Sequence, residues 1–264
     1  MIAKTARLWR MLATGLCFVF FAIGGLILTL LVFPLLRILP VHKVKKTNAG
    51  LSLMRLCFAL FMKIMQWLGP IQNFSVKGLD QVHAGQPYLY IANHPALIDV
   101  VAILSVLPKC NCIVKNALFN NIFLGGVLRM AQYIPNRDAP ELIALCQKSV
   151  AAGRSLMIFP EGTRSPRGGI RRFSRGAAQI ALRCNVPVVP ILVSCEPPTL
   201  MKGQPWYKIP EKPVRFTLDF QPPLAIPQEI LDKTSFPLKV RALNQFFQEY
   251  YQKQLGLNLE QTPP

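Results

Sequence analysis

Acidic residues are scarce and late in this chain. Against 30 Lys and Arg stand only 12 Asp and Glu, and none of these precedes Asp80. Lys4, Arg7, Arg10, Arg37, Lys43, Lys45, Lys46, Arg55, Lys63 and Lys77 all do. A formal net charge of +18 calls for an anionic partner, either nucleic acid or an acidic membrane surface. The basic residues flank or punctuate very apolar sequence, which suits a headgroup layer. Anionic membrane lipids are therefore the expected partner, and nucleic acid is set aside. A metal centre is poorly provided for: Cys110 and Cys112 form a lone Cys-x-Cys with no nearby His and no second Cys pair. Seven cysteines, an odd number at irregular spacing, argue against a disulfide framework and for reduced thiols in the cytosol.

What the N-terminal quarter has instead is apolar length. Residues 11–36 carry no charged side chain. As a helix this run reaches about 39 Å, enough to cross a hydrocarbon core of about 30 Å with some tilt. A secretory signal would have a shorter apolar core and a small-residue cleavage site. Basic residues lie on both sides of the run, so the positive-inside comparison is nearly even. On residues 51–68, Ser52, Arg55, Lys63 and Gln66 share a narrow arc of an otherwise apolar helix, the pattern of an interfacial helix. Residues 1–69 are expected to form a membrane anchor, and deleting 1–68 to leave a more soluble protein. The expected location is the inner (cytoplasmic) membrane, with the remainder on the cytoplasmic side.

After Gly69-Pro70 short β-type runs alternate with helical stretches. The strands expected are Phe74–Lys77, Tyr88–Ala92, Cys112–Lys115, Tyr133–Pro135, Ser155–Phe159, Pro187–Ser194 and Val214–Phe220. Helices are expected at about 95–106, 117–130, 139–152 and 174–184, with a closing helix at 235–255. This alternation predicts an α/β fold: one domain with a mostly parallel central sheet flanked by helices, preceded by the N-terminal membrane helices. The domain should span 70–225, with 226–264 as a helical extension and 261–264 as a frayed end. The Pro-rich stretch 196–213 reads as an irregular connection.

Two segments carry chemistry. Tyr88–Ala92 runs straight into Asn93-His94-Pro95-Ala96-Leu97-Ile98-Asp99, and Pro95 fits the first turn of a helix. His94 then lies at the carboxyl end of a strand, where α/β sheets commonly place ligands. With His94 in a cap conformation its ring can fold over the first turn towards Asp99. A carboxylate on one imidazole nitrogen fixes the tautomer and leaves the other to take a proton from a hydroxyl. In the second segment, Phe159-Pro160-Glu161-Gly162-Thr163-Arg164-Ser165, a strand end presents a carboxylate, a glycine, a hydroxyl and a guanidinium together. Arg164 suits phosphate, and backbone amides near Gly162 could add donors to it or to an oxyanion. Arg167, Arg171, Arg172 and Arg175 follow; Arg171 and Arg172 read as peripheral contacts to anionic membrane or an acidic acyl carrier.

These segments, in this order, resemble the glycerolipid acyltransferase family, which includes 1-acylglycerol-3-phosphate acyltransferases. Asn93-His94 with Asp99 looks like its first block. Tyr133-Ile134-Pro135-Asn136-Arg137 looks like its second, whose arginine is implicated in acceptor binding. Phe159–Ser165 matches its third without a change, and Val186–Ile191 looks like its fourth. The resemblance covers about residues 70–225. It implies acyl transfer from an acyl-carrier-protein or coenzyme A thioester to a lysophospholipid hydroxyl. His94 and Asp99 would be catalytic, Arg137, Glu161, Gly162, Thr163 and Arg164 would hold the acceptor, and neither metal nor bound cofactor would be needed. Gln132 and Asn136 stand where many members have Gly and Asp. Glycerol 3-phosphate, a lyso-aminolipid or a specialised hydroxylated lipid therefore stay open as acceptors. A catalytically silent membrane scaffold is the rival of another class, against which the intact His94, Asp99, Glu161 and Arg164 stand.

Overall fold

In the computed structural model, which describes residues 2–38, 40, 42–82 and 85–257, the N-terminal quarter is a helical hairpin. The expected frayed end at 261–264 lies outside these residues. Helix α1 (Ile2–Ile27) continues through a π-helical segment, Leu28–Val32, into α2 (Phe33–Ile38), and α3 (Lys43–Leu68) packs back on α1. The π segment lies just before Pro34, which removes a donor and crowds the preceding turn; the Phe33 N–H reaches back to Leu28 O. Along α1, Leu8, Leu12, Leu16, Phe20, Ile23 and Ile27 form one exposed stripe at three- and four-residue spacing. Lys4–Leu35 and Val44–Leu68 are each long and apolar enough to cross a membrane, with mean hydropathies of 2.8 and 1.4 over an 18-residue stretch of each. So continuous an apolar surface belongs against lipid.

The amphipathic helix starts eight residues earlier than its apolar pattern suggested, at Lys43. Ser52, Arg55 and Lys63 are exposed as expected, alongside Leu56, Leu60 and Trp67. Its opposite face, Leu51, Met54, Met62, Met65 and Leu68, is buried. These residues share one hydrophobic cluster with Tyr90, Ala102 and Ile103 of the following domain. The hairpin is therefore part of the core, and a cut at residue 68 would open that core.

The remaining elements are β1 (Ile71–Lys77), β2 (Leu89–Ala92), α4 (Asp99–Val106), β3 (Cys110–Lys115), α5 (Gly125–Met130), β4 (Ile134–Asn136), α6 (Ala139–Ala151), β5 (Ser155–Ile158), α7 (Gly176–Cys184), β6 (Val188–Glu196), β7 (Val214–Phe220), α8 (Gln228–Leu231) and α9 (Phe236–Gln254). The seven strands form one sheet in the order β1-β7-β6-β2-β5-β3-β4. Every neighbouring pair is parallel except β6 with β7. The mostly parallel α/β sheet is as expected.

Two helical expectations change. The helix placed at 95–106 begins only at Asp99, so Pro95 sits in a loop, because the Asp99 carboxylate accepts the Ala96 N–H at 2.8 Å and holds 96–98 as a turn. The helix placed at 117–130 splits into a 3-10 turn, Asn116–Asn120, and α5. Asn121 causes the break: its side-chain oxygen accepts from the Phe123 and Leu124 amides at 3.0 and 3.1 Å.

One face of the sheet carries α1, α3 and α4; the other carries α6, α7 and α9. Helix α9 buries Leu243, Phe247 and Tyr251 completely. The Tyr251 hydroxyl donates to Ile91 O at 2.7 Å and accepts from the Ile191 N–H at 3.2 Å, clamping β2 to β6. The segment after residue 225 is thus an outer layer of the same sheet, although its sequence reads as an extension.

Candidate active site

Strands β2 and β5 are parallel neighbours, so the segments following Ala92 and Ile158 emerge side by side at their carboxyl ends. The Asn93 side chain extends the β2–β6 ladder: it donates to Val193 O at 2.9 Å and accepts from the Val193 N–H at 2.8 Å. The next residue is thereby delivered just past the sheet. His94 Nδ1 lies 2.7 Å from Asp99 Oδ2. Asp99 is fully buried, whereas the His94 side chain is 15% exposed. Because a carboxylate only accepts, Nδ1 carries the proton and the lone pair is on Nε2, which has no protein partner among the described residues. Phe159 stacks on the imidazole with ring centroids 4.2 Å apart. Burial pushes the Asp99 carboxyl above the usual carboxylate range, opposed by its hydrogen bond from His94.

The second segment is organised around Glu161. Its Oε1 accepts from the His94 N–H at 3.1 Å and from the Ser165 hydroxyl at 2.5 Å; its Oε2 accepts from the Arg171 N–H at 2.8 Å. Ser165 also donates its own N–H to His94 O at 2.7 Å. Buried and filled by three donors, Glu161 holds the two loops together and has little capacity left for an acceptor lipid. Burial pushes its carboxyl up as well, against the Ser165 bond. Gly162 turns the chain at φ +66°, where a side chain would be strained, and its N–H donates to Phe159 O at 3.0 Å. The donors expected near Gly162 are therefore not its own: in the same loop the amides of Glu161, Thr163 and Arg164 have no acceptor among the described residues.

Arg164 is half committed. One guanidinium nitrogen donates to Leu200 O at 2.7 Å and Met201 O at 3.0 Å, tying the loop to the irregular connection. The Leu97 N–H also reaches Leu200 O. Its charge lies near enough to pull the Asp99 carboxyl down. Arg137 follows β4, three strands along the sheet from β2, or about 14 Å at ordinary strand spacing. Its guanidinium bonds Glu141 at 2.7 Å and Asn116 at 3.2 Å. The structure thus gathers His94, Asp99, Glu161, Gly162, Thr163 and Arg164 and leaves Arg137 at the rim. Sequence reading assigned no role to Asn93, Ser165 or Phe159; each lies within a quoted motif, but its partner is distant in the chain.

A family model described as Acyltransferase matches residues 73–194, which hold all of these side chains except the Leu200 and Met201 carbonyls. This segment is similar to the acyltransferases that the model describes. Over 128 residues the acyltransferase domain is 31% identical to the chloroplastic 1-acyl-sn-glycerol-3-phosphate acyltransferase BAT2 of Brassica napus, covering 46% of this chain and 37% of the relative. Over 129 residues it is 27% identical to the human 1-acyl-sn-glycerol-3-phosphate acyltransferase beta, covering 46% of each. The alignments thus span less than half the length of these two relatives. The whole chain shares its fold, helical hairpin included, with the crystal structure of the 1-acyl-sn-glycerophosphate acyltransferase PlsC from Thermotoga maritima. That match has a TM-score of 0.67 at 19% identity and covers 97% of this chain and 99% of the other.

Proposed function

We propose that this chain transfers a fatty acyl group from a thioester, on acyl carrier protein or coenzyme A, to the free hydroxyl of lysophosphatidate or a related lysophospholipid in phospholipid synthesis. The observation that carries the reading is His94 at the carboxyl end of β2, Nδ1 held by buried Asp99 and Nε2 unoccupied. The acceptor hydroxyl loses its proton to Nε2 as its oxygen attacks the acyl carbonyl carbon. The Asp99 charge steadies the imidazolium. The oxyanion is met by the free amides of Thr163 and Arg164, and the remaining donors of Arg164 take the acceptor phosphate. Collapse breaks the carbon–sulfur bond, and the imidazolium returns the proton to the leaving thiolate. No side-chain nucleophile is required, since the acceptor attacks directly, and the scheme uses no metal or bound cofactor. The hairpin would anchor the protein in the cytoplasmic membrane with the site on the cytosolic side, where such thioesters are found.

The test is acyl release from a labelled thioester, with lysophosphatidate, glycerol 3-phosphate and a lyso-aminolipid offered in parallel, for wild type and His94→Ala. Transfer should be fastest to lysophosphatidate and should vanish in the variant. Preference for another acceptor would revise the substrate, and persistent turnover without His94 would discard the mechanism.

A further inference from the structure

Beside the catalytic loops lies an open cavity of about 680 Å³. Five basic residues line it: Arg7 from the start of α1, Arg167 and Arg171 from the loop after β5, and Lys202 and Lys208 from the irregular connection. Ser165 lies on its wall, and Ser165 is the residue hydrogen-bonded to the His94 backbone, so the cavity adjoins the reacting centre. The single carboxylate in the lining is Glu211. Among the described residues none of the five cations makes an ion pair; the ion pairs seen are His94–Asp99 and Arg137–Glu141. Arg171 Nε is buried with no hydrogen-bond partner, although the same residue's N–H holds Glu161 and its carbonyl accepts from Gln248. A buried guanidinium nitrogen without an acceptor is costly unless an anion completes the site.

We propose that this cavity receives the phosphate of the acyl donor's phosphopantetheine arm, the chemistry that a coenzyme A thioester and an acyl-carrier-protein thioester share. The assignment rests on the thioester reading above. The volume is in the range of sites that enclose small-molecule ligands and exceeds what one inorganic phosphate needs. An arm running along the cavity can lay its phosphate among the five cations while its thioester end passes Ser165 towards His94 Nε2. Arg167 and Arg171 lie within the segment matched to the acyltransferases, and Arg7, Lys202 and Lys208 lie outside it, so this face joins that segment to the rest of the chain. Arg7 is itself held there, its Nε donating to Ile209 O at 3.1 Å.

The experiment uses the full-length protein in detergent micelles. Phosphopantetheine, pantetheine without the phosphate, and coenzyme A are titrated by calorimetry, and donor and acceptor KM values are measured for wild type and Lys202→Gln/Lys208→Gln. Both lysines are exposed, so the variant keeps the fold, which a thermal melt checks. Phosphopantetheine and coenzyme A should bind at least about tenfold more tightly than pantetheine, as loss of charge-assisted bonds requires. The variant should lose most of that difference and raise the donor KM about tenfold for both thioesters, with the lysophosphatidate KM unchanged. A rise in the lysophosphatidate KM with the donor KM unchanged would overturn the proposal, because the cavity would then take the acceptor phosphate. Two other results would overturn it equally: no change in either KM, or a shift confined to coenzyme A thioesters, which would place the nucleotide phosphates there. Wild type that binds phosphopantetheine at this cavity but transfers to no acceptor would sink the acyltransferase reading while leaving the donor-arm assignment standing.

Discussion

Replacing Asp99 with Asn separates charge from geometry at the dyad. Asp99 Oδ2 accepts two N–H groups, Ala96 at 2.8 Å and His94 Nδ1 at 2.7 Å. An amide nitrogen in that position would face the Ala96 donor, so the Asn carbonyl oxygen should occupy it. The imidazole then keeps its tautomer, and what disappears is the negative charge opposite the developing imidazolium. With charge centres about 4 Å apart and an effective dielectric of about 20, that attraction is about 4 kcal/mol. Turnover should therefore fall about a thousandfold. The effect belongs in kcat, with both KM values within about threefold of wild type, because neither substrate touches Asp99. Labelled acyl transfer in mixed micelles reads kcat, and a thermal melt reads the fold. A fall of less than tenfold with an intact melt would refute the ion-pair argument.

The same variant carries a pH signature. Burial raises the folded-state pKa of Asp99 above its unfolded value, so the folded protein holds that proton to higher pH. The corresponding stability is full at pH below the ordinary carboxylate range and drains as pH rises through the raised value. Glu161 adds to the same slope. Wild type should therefore lose stability as pH rises through the raised values, and Asp99→Asn should lose less; melting temperatures measured across a pH series provide the check.

The other expectations can be read with ordinary assays. Glu161→Gln must turn its amide towards a donor, the Arg171 N–H or the pair from His94 and Ser165, so it should cost about 1–3 kcal/mol and expose the loop to proteolysis; an unchanged melt would show that Glu161 is not the organiser. Arg164→Ala should raise the lysophosphatidate KM at least about tenfold more than that of an uncharged lyso-acceptor, whereas equal loss on both would mean that it only holds the Leu200–Met201 carbonyls. Tyr251→Phe should cost about 1–3 kcal/mol in a melt while sparing KM, since among the described residues its hydroxyl bonds only the backbone of β2 and β6. Deleting residues 1–68 should give aggregation, because the buried face of α3 belongs to the core, while Leu56→Lys/Leu60→Lys/Trp67→Lys should reduce membrane sedimentation of a folded protein. Salt alone should release neither wild type nor the triple variant from apolar burial.

Legibility followed the range of the forces. Val214–Phe220 alternates inward and outward side chains and appears as β7 residue for residue. The four residues of β2 are all buried, as the apolar run before Asn93 suggested. Helix starts were misplaced where polar side chains bond nearby backbone, at Asp99 and at Asn121, because such bonds offer the chain an alternative to helix that apolar periodicity does not register. The His94–Asp99 pair was legible because both residues lie within six positions. Glu161 was assigned to the acceptor because its donors come from residues 94, 165 and 171, which only the parallel pairing of β2 with β5 brings together. The carbonyls that hold Arg164 lie 36 and 37 residues away in a segment with no periodicity at all. Helix α9 has an apolar stripe, but nothing local says that its tyrosine reaches a strand 160 residues earlier.

Four attachments converge on two residues. Asn93 is pinned to β6, the His94 N–H to Glu161 and Ser165, the His94 carbonyl to Ser165, and the His94 ring to Asp99 and Phe159. None of these bonds involves a ligand, so His94 is in position before one arrives, and binding need not order it. This explains why Glu161 is a carboxylate although burial disfavours its charge. An amide accepts through one oxygen only, whereas here acceptors are needed on both sides at once, towards His94 and Ser165 on one and Arg171 on the other. The loop after β5 thus divides its labour. Glu161 and Ser165 face inward and position His94, while the Thr163 and Arg164 amides and the remaining donors of the Arg164 guanidinium make no hydrogen bond among the described residues.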